Sequence, residues 1–484
     1  MKKYITRTAL ILLGAMSLTS CGDEFLETQF SNSEQQSDIN SVEKMQAFVY
    51  GNYATMRDFN YYGNYFITVP EVRSDEMYSN NRSGYHSATQ NYAMTSGDAI
   101  ATGAWTAMYT AIAKSNMIIN ASDNLSWGET TNPADISDRV KYLKGQAYAL
   151  RAQVFFDLLR LYGQKYTSNP EQLGVVLPLQ YNPSANMPRA SVVQTEAQIE
   201  ADFEKAYQYM VGNPNNIYSD KTVLNEYSVR ALMSRYYLYK GNYARVRTLV
   251  ADIVASNNWA PVKSDSYVAS FALNNAASNS MFELAVGASV IIAPSLNDFL
   301  NGSGGYKNMV VKTAALNSYL PNDVRRDVIG VASGVSGRFL NGKYPSLAGD
   351  NNIRMVRIEE VLLNGIEAEL NGGSATVALD YYKELVGNRW KSYTSGGTVI
   401  TVEDQLNAIT SVDMTELKKE RTRELIGEGF RMWDLLRWGT PLTKNTTTGG
   451  TNGPAPLNLI AFPIPQAETN VAGTAIKSNP GYDN

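Results

Sequence analysis

Between Asp138 and Tyr162, the residues Leu143, Ala147, Leu150, Val154, Leu158 and Leu161 recur at spacings of four, three, four, four and three. That pattern is one face of a helix, because a half-buried strand alternates at two. Gly163 follows where a helix stop belongs. The same period marks residues 41–58, 102–121, 193–211, 225–256, 353–371, 374–390 and 413–438. Strand-like alternation is sparse, so an all-α chain is expected. Several helices come in pairs separated by short breaks, such as Lys240-Gly241-Asn242 and Asn371-Gly372-Gly373-Ser374. Stretches 59–97, 164–192, 257–350 and 439–484 lack the period. Irregular segments of that length in a folded chain commonly carry function.

Composition narrows the function classes. Of 484 residues, 44% are hydrophobic and 18% charged, which is the balance of a globular body. Forty-two basic side chains face forty-six acidic ones, a net charge of −4 that disfavours nucleic-acid binding. The chain has one Cys and one His. No disulfide can form within it, and neither a His/Cys zinc site nor a multi-His centre is available. A Ser-His-Asp triad would have to use His86, and a Cys-His dyad would have to pair His86 with Cys21. Carboxylate chemistry stays open, and no metal or other cofactor is expected. Tyrosine outnumbers phenylalanine, 31 to 14, which favours wet surfaces where a flat apolar ring carries a polar tip.

The first twenty residues read as an export signal. Lys2, Lys3 and Arg7 precede the apolar run Ala9 to Met16, which is far short of the ~20 residues a bilayer span needs. Leu18-Thr19-Ser20-Cys21 then resembles the bacterial lipobox, in which cleavage leaves Cys21 as a lipid-modified N-terminus. Removing residues 1–20 takes away three positive charges and moves the net charge from −4 to −7. Gly22-Asp23-Glu24 resembles a surface-export signal. Residues 21–40 are expected to form the anchor and tether, and a polar linker over 25–40 spans ~20–24 Å root-mean-square. No second apolar stretch is long enough to span, so the expected attachment is by lipid alone.

Ala231, Tyr236, Tyr239, Gly241, Tyr243 and Ala244 sit in the small/aromatic arrangement of tetratricopeptide hairpins. Five further blocks carry a resemblance. They are Cys21 to Glu27; Arg151-Ala152 with Phe155-Phe156-Asp157-Leu158 and Leu161-Tyr162-Gly163; and Arg189 to Val192 with Ile199 and Asp202 to Ala206. The fourth runs from Glu420 to Leu425, then through Glu428-Gly429-Phe430-Arg431 and Asp434 to Gly439. The fifth is Phe462-Pro463-Ile464-Pro465 with Asn479-Pro480-Gly481-Tyr482. In this order they resemble the SusD/RagB family of nutrient-binding outer-membrane lipoproteins. The resemblance implies about four tetratricopeptide-like hairpins in a right-handed superhelical scaffold, packed against an irregular, loop-rich ligand-binding half. It implies an N-terminal region over 41–256 and a C-terminal region over 257–484, intertwined as one unit within 21–484. It also implies a palmitate-bearing lipoprotein on the outer membrane, facing the exterior. Its partner would be a TonB-dependent (SusC-like) transporter and its ligand an oligosaccharide. A peptide-import or adhesin component of the same architecture is the alternative.

Glu424 and Glu428 lie four apart on one helix face, as a glycosidase-like pair could. However, Glu420–Arg423, Glu428–Arg431 and Asp434–Arg437 are i,i+3 pairs, and paired arginine lowers a carboxylate's pKa, the wrong direction for a general acid. Ion-pair networking is therefore expected, not hydrolysis. His86, in a polar loop, is expected to face solvent. The stretch 59–92 mixes aromatic rings with amides and charges, the set that stacks on and hydrogen-bonds a sugar. Tyr61, Tyr62, Asp75, Tyr78, Asn81, Arg82 and Tyr85 are the ligand candidates there, with core packing the alternative for any single tyrosine. Trp105 resembles the head of a family helix that approaches the ligand, and Tyr306 sits in the Gly-rich loop 301–307.

Overall fold

The computed structural model describes residues 39–180, 182, 184–287 and 291–482. Cys21 and the expected leader lie outside the described residues, as does the tether apart from Ile39 and Asn40. In chain order the longer helices are α1 (Val42–Met56), α2 (Tyr65–Val72), α3 (Ala99–Ile119), α4 (Pro133–Tyr162), α5 (Val192–Met210) and α6 (Glu226–Lys240). They continue with α7 (Tyr243–Ala255), α8 (Ile358–Leu370), α9 (Ala375–Gly387), α10 (Met414–Leu425) and α11 (Arg431–Arg437).

Helix α4 is the spine. It starts ahead of Asp138 because Asn132 accepts the Ala134 N–H and Pro133 fills the first helical position. Gly163 ends it with an extended backbone (φ −76°, ψ 155°), not in the left-handed region. Glycine is needed there for space, since a Cβ would stand 2.5 Å from the Leu159 carbonyl oxygen. Helix α4 packs on α3 and α5, and α1 packs on α3. Helices α6 and α7 form a hairpin around Gly241 (φ +73°), and α8 and α9 form another. These four pairs, α1/α3, α4/α5, α6/α7 and α8/α9, stack in sequence through α5 on α6 and α7 on α8. The fold is thus mostly helical, with tetratricopeptide-like hairpins. The described residues form one compact unit.

Where the periodicity misled, the cause is tertiary. Residues 353–357, expected as helix, form strand β6 (Ile353–Arg357), antiparallel to β2 (Ser280–Leu284), and only then does α8 begin. The expected single helix 413–438 breaks into α10 and α11 at Gly427 (φ +81°) and Gly429 (φ +82°). Gly429 presses on α2, where a Cβ would meet the Ile67 Cα at 3.0 Å, and its N–H donates to Glu71 Oε1 at 2.8 Å. Helix α2 itself lies inside a stretch without helical period. All eight of its residues are buried, so no polar face marks it.

The charged helix does build an ion-pair core. Arg325, Arg357 and Arg389 are fully buried and converge on Glu424 at 3.1, 2.9 and 2.8 Å. Asp323, Glu359, Glu420 and Glu428 complete the set. Burial would raise the Glu424 carboxyl, but the Arg389, Arg357 and Arg325 guanidinia override it and hold it well below the usual range. The pairs Glu420–Arg423 and Asp434–Arg437 form as expected. Glu428–Arg431 does not, because the glycine turn redirects Arg431 to Asp75 and Glu76.

Candidate functional site

Strand β1 (Met77–Ser79) pairs antiparallel with β3 (Met309–Val311) in the register Tyr78↔Val310. This short ladder joins the two halves of the sequence and lays loop 80–87 beside loop 301–308. Asn80 ties the two together: its N–H donates to the Asn308 carbonyl and its Nδ2 to the Lys307 carbonyl, both at 3.0 Å. Its Oδ1 accepts the Arg82 N–H at 3.0 Å. The Ser79 hydroxyl donates to the Tyr85 carbonyl at 2.8 Å and closes the first loop. In the second loop the Asp298 carbonyl accepts the Tyr306 and Lys307 N–H groups, and its Oδ1 accepts from Gly305. Gly304 is obligatory, since a Cβ there would lie 2.4 Å from the Asn297 carbonyl oxygen.

These loops bring Tyr85 and Tyr306 together, with centroids 5.3 Å apart and planes at 61°. Both rest on Phe299, at 5.1 and 4.8 Å, which is fully buried. The two tyrosines are half-buried. Beneath them His86 packs between Tyr65 and Phe299. This corrects the expectation of a solvent-facing histidine. Its backbone is left-handed (φ +67°), the ring is buried, and neither ring nitrogen has a hydrogen-bond partner. Burial pushes its pKa down to about 3, so the imidazole is neutral.

The other predicted residues divide. Asn81 and Arg82 are exposed on the same loop, and Tyr78 is half-buried on β1 against Gly449. Tyr61 and Tyr62 are core residues whose hydroxyls donate to Asp157 at 2.5 and 2.7 Å. They present no ring to a ligand, because α4 offers a buried carboxylate that both phenols satisfy. Trp105 is likewise buried, packed on Tyr109 and Tyr162 with its Nε1 donating to Glu468. Asp75 is occupied by the Arg431 guanidinium at 2.7 and 2.9 Å. Phe299 and Asn80 are the parts of this surface that sequence reasoning did not rank. Phe299 carried no signal, being one aromatic residue in a non-periodic segment.

Two hairpins frame the surface. Strand β5 (Val335–Phe339), paired with β4 (Gly330–Ala332), lies against β3, with Gly337 facing Val310. Asn445, on the hairpin of β7 (Thr443–Asn445) and β8 (Thr451–Pro454), donates to the Val72, Ser74 and Met77 carbonyls. A wider groove of about 610 Å³ runs between α1 and α3, but the residues lining it include no aromatic ring. Among the described residues no group of His, Cys, Asp and Glu is arranged to hold a metal ion. None of the helices there is long and apolar enough to cross a membrane.

Comparison with known proteins agrees with this architecture. Residues 24–238 match a SusD-like family model described as starch-binding associating with outer membrane, and residues 335–482 match the SusD family model. SusD-like protein P38 of Formosa agariphila is 24% identical over 389 residues, covering 69% of this chain and 71% of that protein. A putative sugar binding protein from Bacteroides vulgatus superposes with a TM-score of 0.78 at 23% identity, covering 92% of this chain and 100% of the other. Surface glycan-binding protein A from Bacteroides fluxus superposes at 0.71 and 20% identity, covering 91% and 99%. With family models matched in order at both ends and this helical fold between them, the chain belongs to the SusD/RagB family.

Proposed function

We propose that this protein captures an oligosaccharide at the cell surface on the Tyr85–Tyr306 face and passes it to a TonB-dependent transporter in the same outer membrane. The observation that carries the reading is the pair of half-exposed rings on a rigid Phe299 floor, edged by Asn81, Arg82 and Lys307. A pyranose lays its C–H face on such rings while its hydroxyls reach the amide and charged groups. The shared fold with a surface glycan-binding protein and the starch-binding description of the family model support it. Regions 41–256 and 257–484 act as one unit, since each contributes one ring and one strand of the β1–β3 ladder. A lipid on Cys21 holds the body near its transporter, and that high effective concentration lets ligand affinity stay low enough for release.

Binding without hydrolysis fits the carboxylates. Glu424 and Glu428 lie in the ion-pair core, and their guanidinium and lysine partners hold both below the usual range against the effect of burial. Neither is poised to give up a proton at neutral pH. Two rings burying ~100 Å² each contribute about 5 kcal/mol against an association cost of at least ~4 kcal/mol. Stacking alone thus leaves about 1 kcal/mol, and hydrogen bonds to the amide and charged groups have to add about 3 kcal/mol or more to reach the expected millimolar-to-micromolar range, with longer oligomers favoured. Calorimetry against an oligosaccharide panel tests this, with chromatography of the mixtures after long incubation. Length-dependent binding with no cleavage products is the expected result. Cleavage, or binding to peptides and to no sugar, would overturn it. Affinity capture from native membranes in detergent should co-purify a large barrel protein, and recovery of monomer alone would remove the transporter from the proposal.

A further inference from the structure

The candidate surface has a charge character that the rest of the chain does not share. Roughly one residue in ten of this protein is Asp or Glu. Segments 77–92, 299–312, 329–340 and 443–454, which the β1–β3 ladder and its two flanking hairpins bring together, contain none. They contain Arg82, Lys307, Lys312, Arg338 and Lys444. The acids that directly flank these segments are engaged: Asp75 and Glu76 pair with Arg431, and Asp298 points its carboxylate into its own loop, accepting from Gly305 and Ser295.

Most arginines of this chain are spoken for. Arg325, Arg357, Arg389, Arg421 and Arg431 each hold one or more carboxylates. At the aromatic surface, Lys312 is buried with its Nζ on Asn445, while Arg82, Lys307, Arg338 and Lys444 form no ion pair among the described residues. Asn80 sets the spacing of the two cations nearest the rings: one end of its amide holds the Arg82 backbone and the other the Lys307 backbone. The rings and the free cations therefore share one rigid frame.

Resting on the glycan reading above, we infer that the ligand is an acidic oligosaccharide, bearing uronate carboxylates or sulfate esters. Its sugar faces stack on Tyr85 and Tyr306 while Arg82 and Lys307 take its anionic groups. A planar guanidinium binds a carboxylate or sulfate through two parallel N–H···O bonds. A surface built for neutral sugars has no need of acid-free loops with unpaired cations.

The test is calorimetry on the full mature chain with three sets of oligosaccharides of matched length: oligogalacturonates, their carboxyl-reduced neutral counterparts, and sulfated carrageenan oligomers. At least one acidic set should bind about tenfold or more tightly than the neutral set. Its affinity should fall several-fold between about 20 and 200 mM NaCl. Arg82→Ala and Lys307→Ala should each weaken acidic binding ~3- to 10-fold, weaken neutral binding by less than about twofold, and leave the melting temperature unchanged, since neither side chain supports the fold. Preference for galacturonate over carrageenan, or the reverse, distinguishes carboxylate from sulfate. Neutral sugars binding as tightly as acidic ones, with both variants unaffected, would overturn the inference and leave the glycan reading standing. Failure of every sugar would overturn both. Equal affinity for a single-stranded oligonucleotide of the same charge would mark a general polyanion surface and overturn the sugar specificity.

Discussion

Tyr85 and Tyr306 come from opposite halves of the chain and meet edge to face, with ring centroids 5.3 Å apart, on the buried ring of Phe299. The two exposed rings and the hidden one should respond differently to removal. Tyr306→Ala takes away a half-exposed stacking surface and is expected to weaken oligosaccharide binding about ten- to hundredfold with little change in melting temperature. Phe299→Ala opens a cavity under both rings and is expected to cost about 3–5 kcal/mol of stability as well as binding. Denaturant titration alongside calorimetry separates the two. A Tyr306→Ala variant with full affinity would remove this surface as the site.

Asp157 accepts hydrogen bonds from Tyr61, Tyr62, Gln153 and Arg160 in the core. Its replacement by Ala strands a buried guanidinium and two buried phenols, and a loss of about 3–5 kcal/mol is expected. Asp75 also pairs with an arginine, but its side chain is 53% exposed and Glu76 stays within 3.3 Å of Arg431. Asp75→Ala should therefore cost less than about 1 kcal/mol. Urea unfolding of the two variants should rank them in that order. Equal losses would mean that the Tyr61–Tyr62–Asp157 cluster is not a structural keystone.

Glu71 lies fully buried at the α2–Gly429 contact, with Oε2 unpartnered. Burial raises its pKa from 4.5 to about 7, against the Gly429 and Gly427 N–H groups and Lys343, which pull it down, while Glu428 adds to the rise. Because the folded value is the higher one, the folded state holds a proton the unfolded state has lost between those values. Its contribution to stability therefore falls as pH rises through that window. Glu71→Gln keeps the acceptor for Gly429 and removes the charge. It is expected to be more stable than the parent by ~2–3 kcal/mol at pH 8 and to match it below pH 4. Parallel curves across that pH range would show that Glu71 is solvated in the folded state.

His86 is the chain's only histidine, so its imidazole Cε1–H gives one unambiguously assigned proton resonance. With its pKa pushed down to about 3 by burial, that resonance should not shift between pH 8 and 4.5. The unfolded state takes up a proton near 6.5 and the folded state does not, so this residue's contribution to stability declines as pH falls below that value. A titration midpoint near 6.5 in the folded protein would place the ring in solvent and undo the packing described beneath Tyr85.

What this sequence determined by itself is its helical scaffold. The apolar period of α4, the breaks at Gly241 and Asn371–Ser374, and the interleaved charges of 420–438 are local signals. Backbone geometry reads them within a few turns, without reference to the rest of the chain. The same locality explains the failures. Residues 353–357 carry a helical period, yet pair as β6 with a strand some seventy residues earlier. The helix expected over 413–438 breaks at two glycines because α2 must approach Gly429 closely. Among the aromatic residues of 59–105, the sequence could not separate rings that fill the core from rings that face a ligand, since a tyrosine serves either purpose. Tertiary structure made that choice. Tyr61 and Tyr62 turn inward because Asp157 of α4 waits there to accept both hydroxyls. Tyr85 stays at the surface because the β1–β3 pairing sets it beside Tyr306. A contact between residues so far apart in sequence depends on the whole scaffold being folded, so no local pattern announces it.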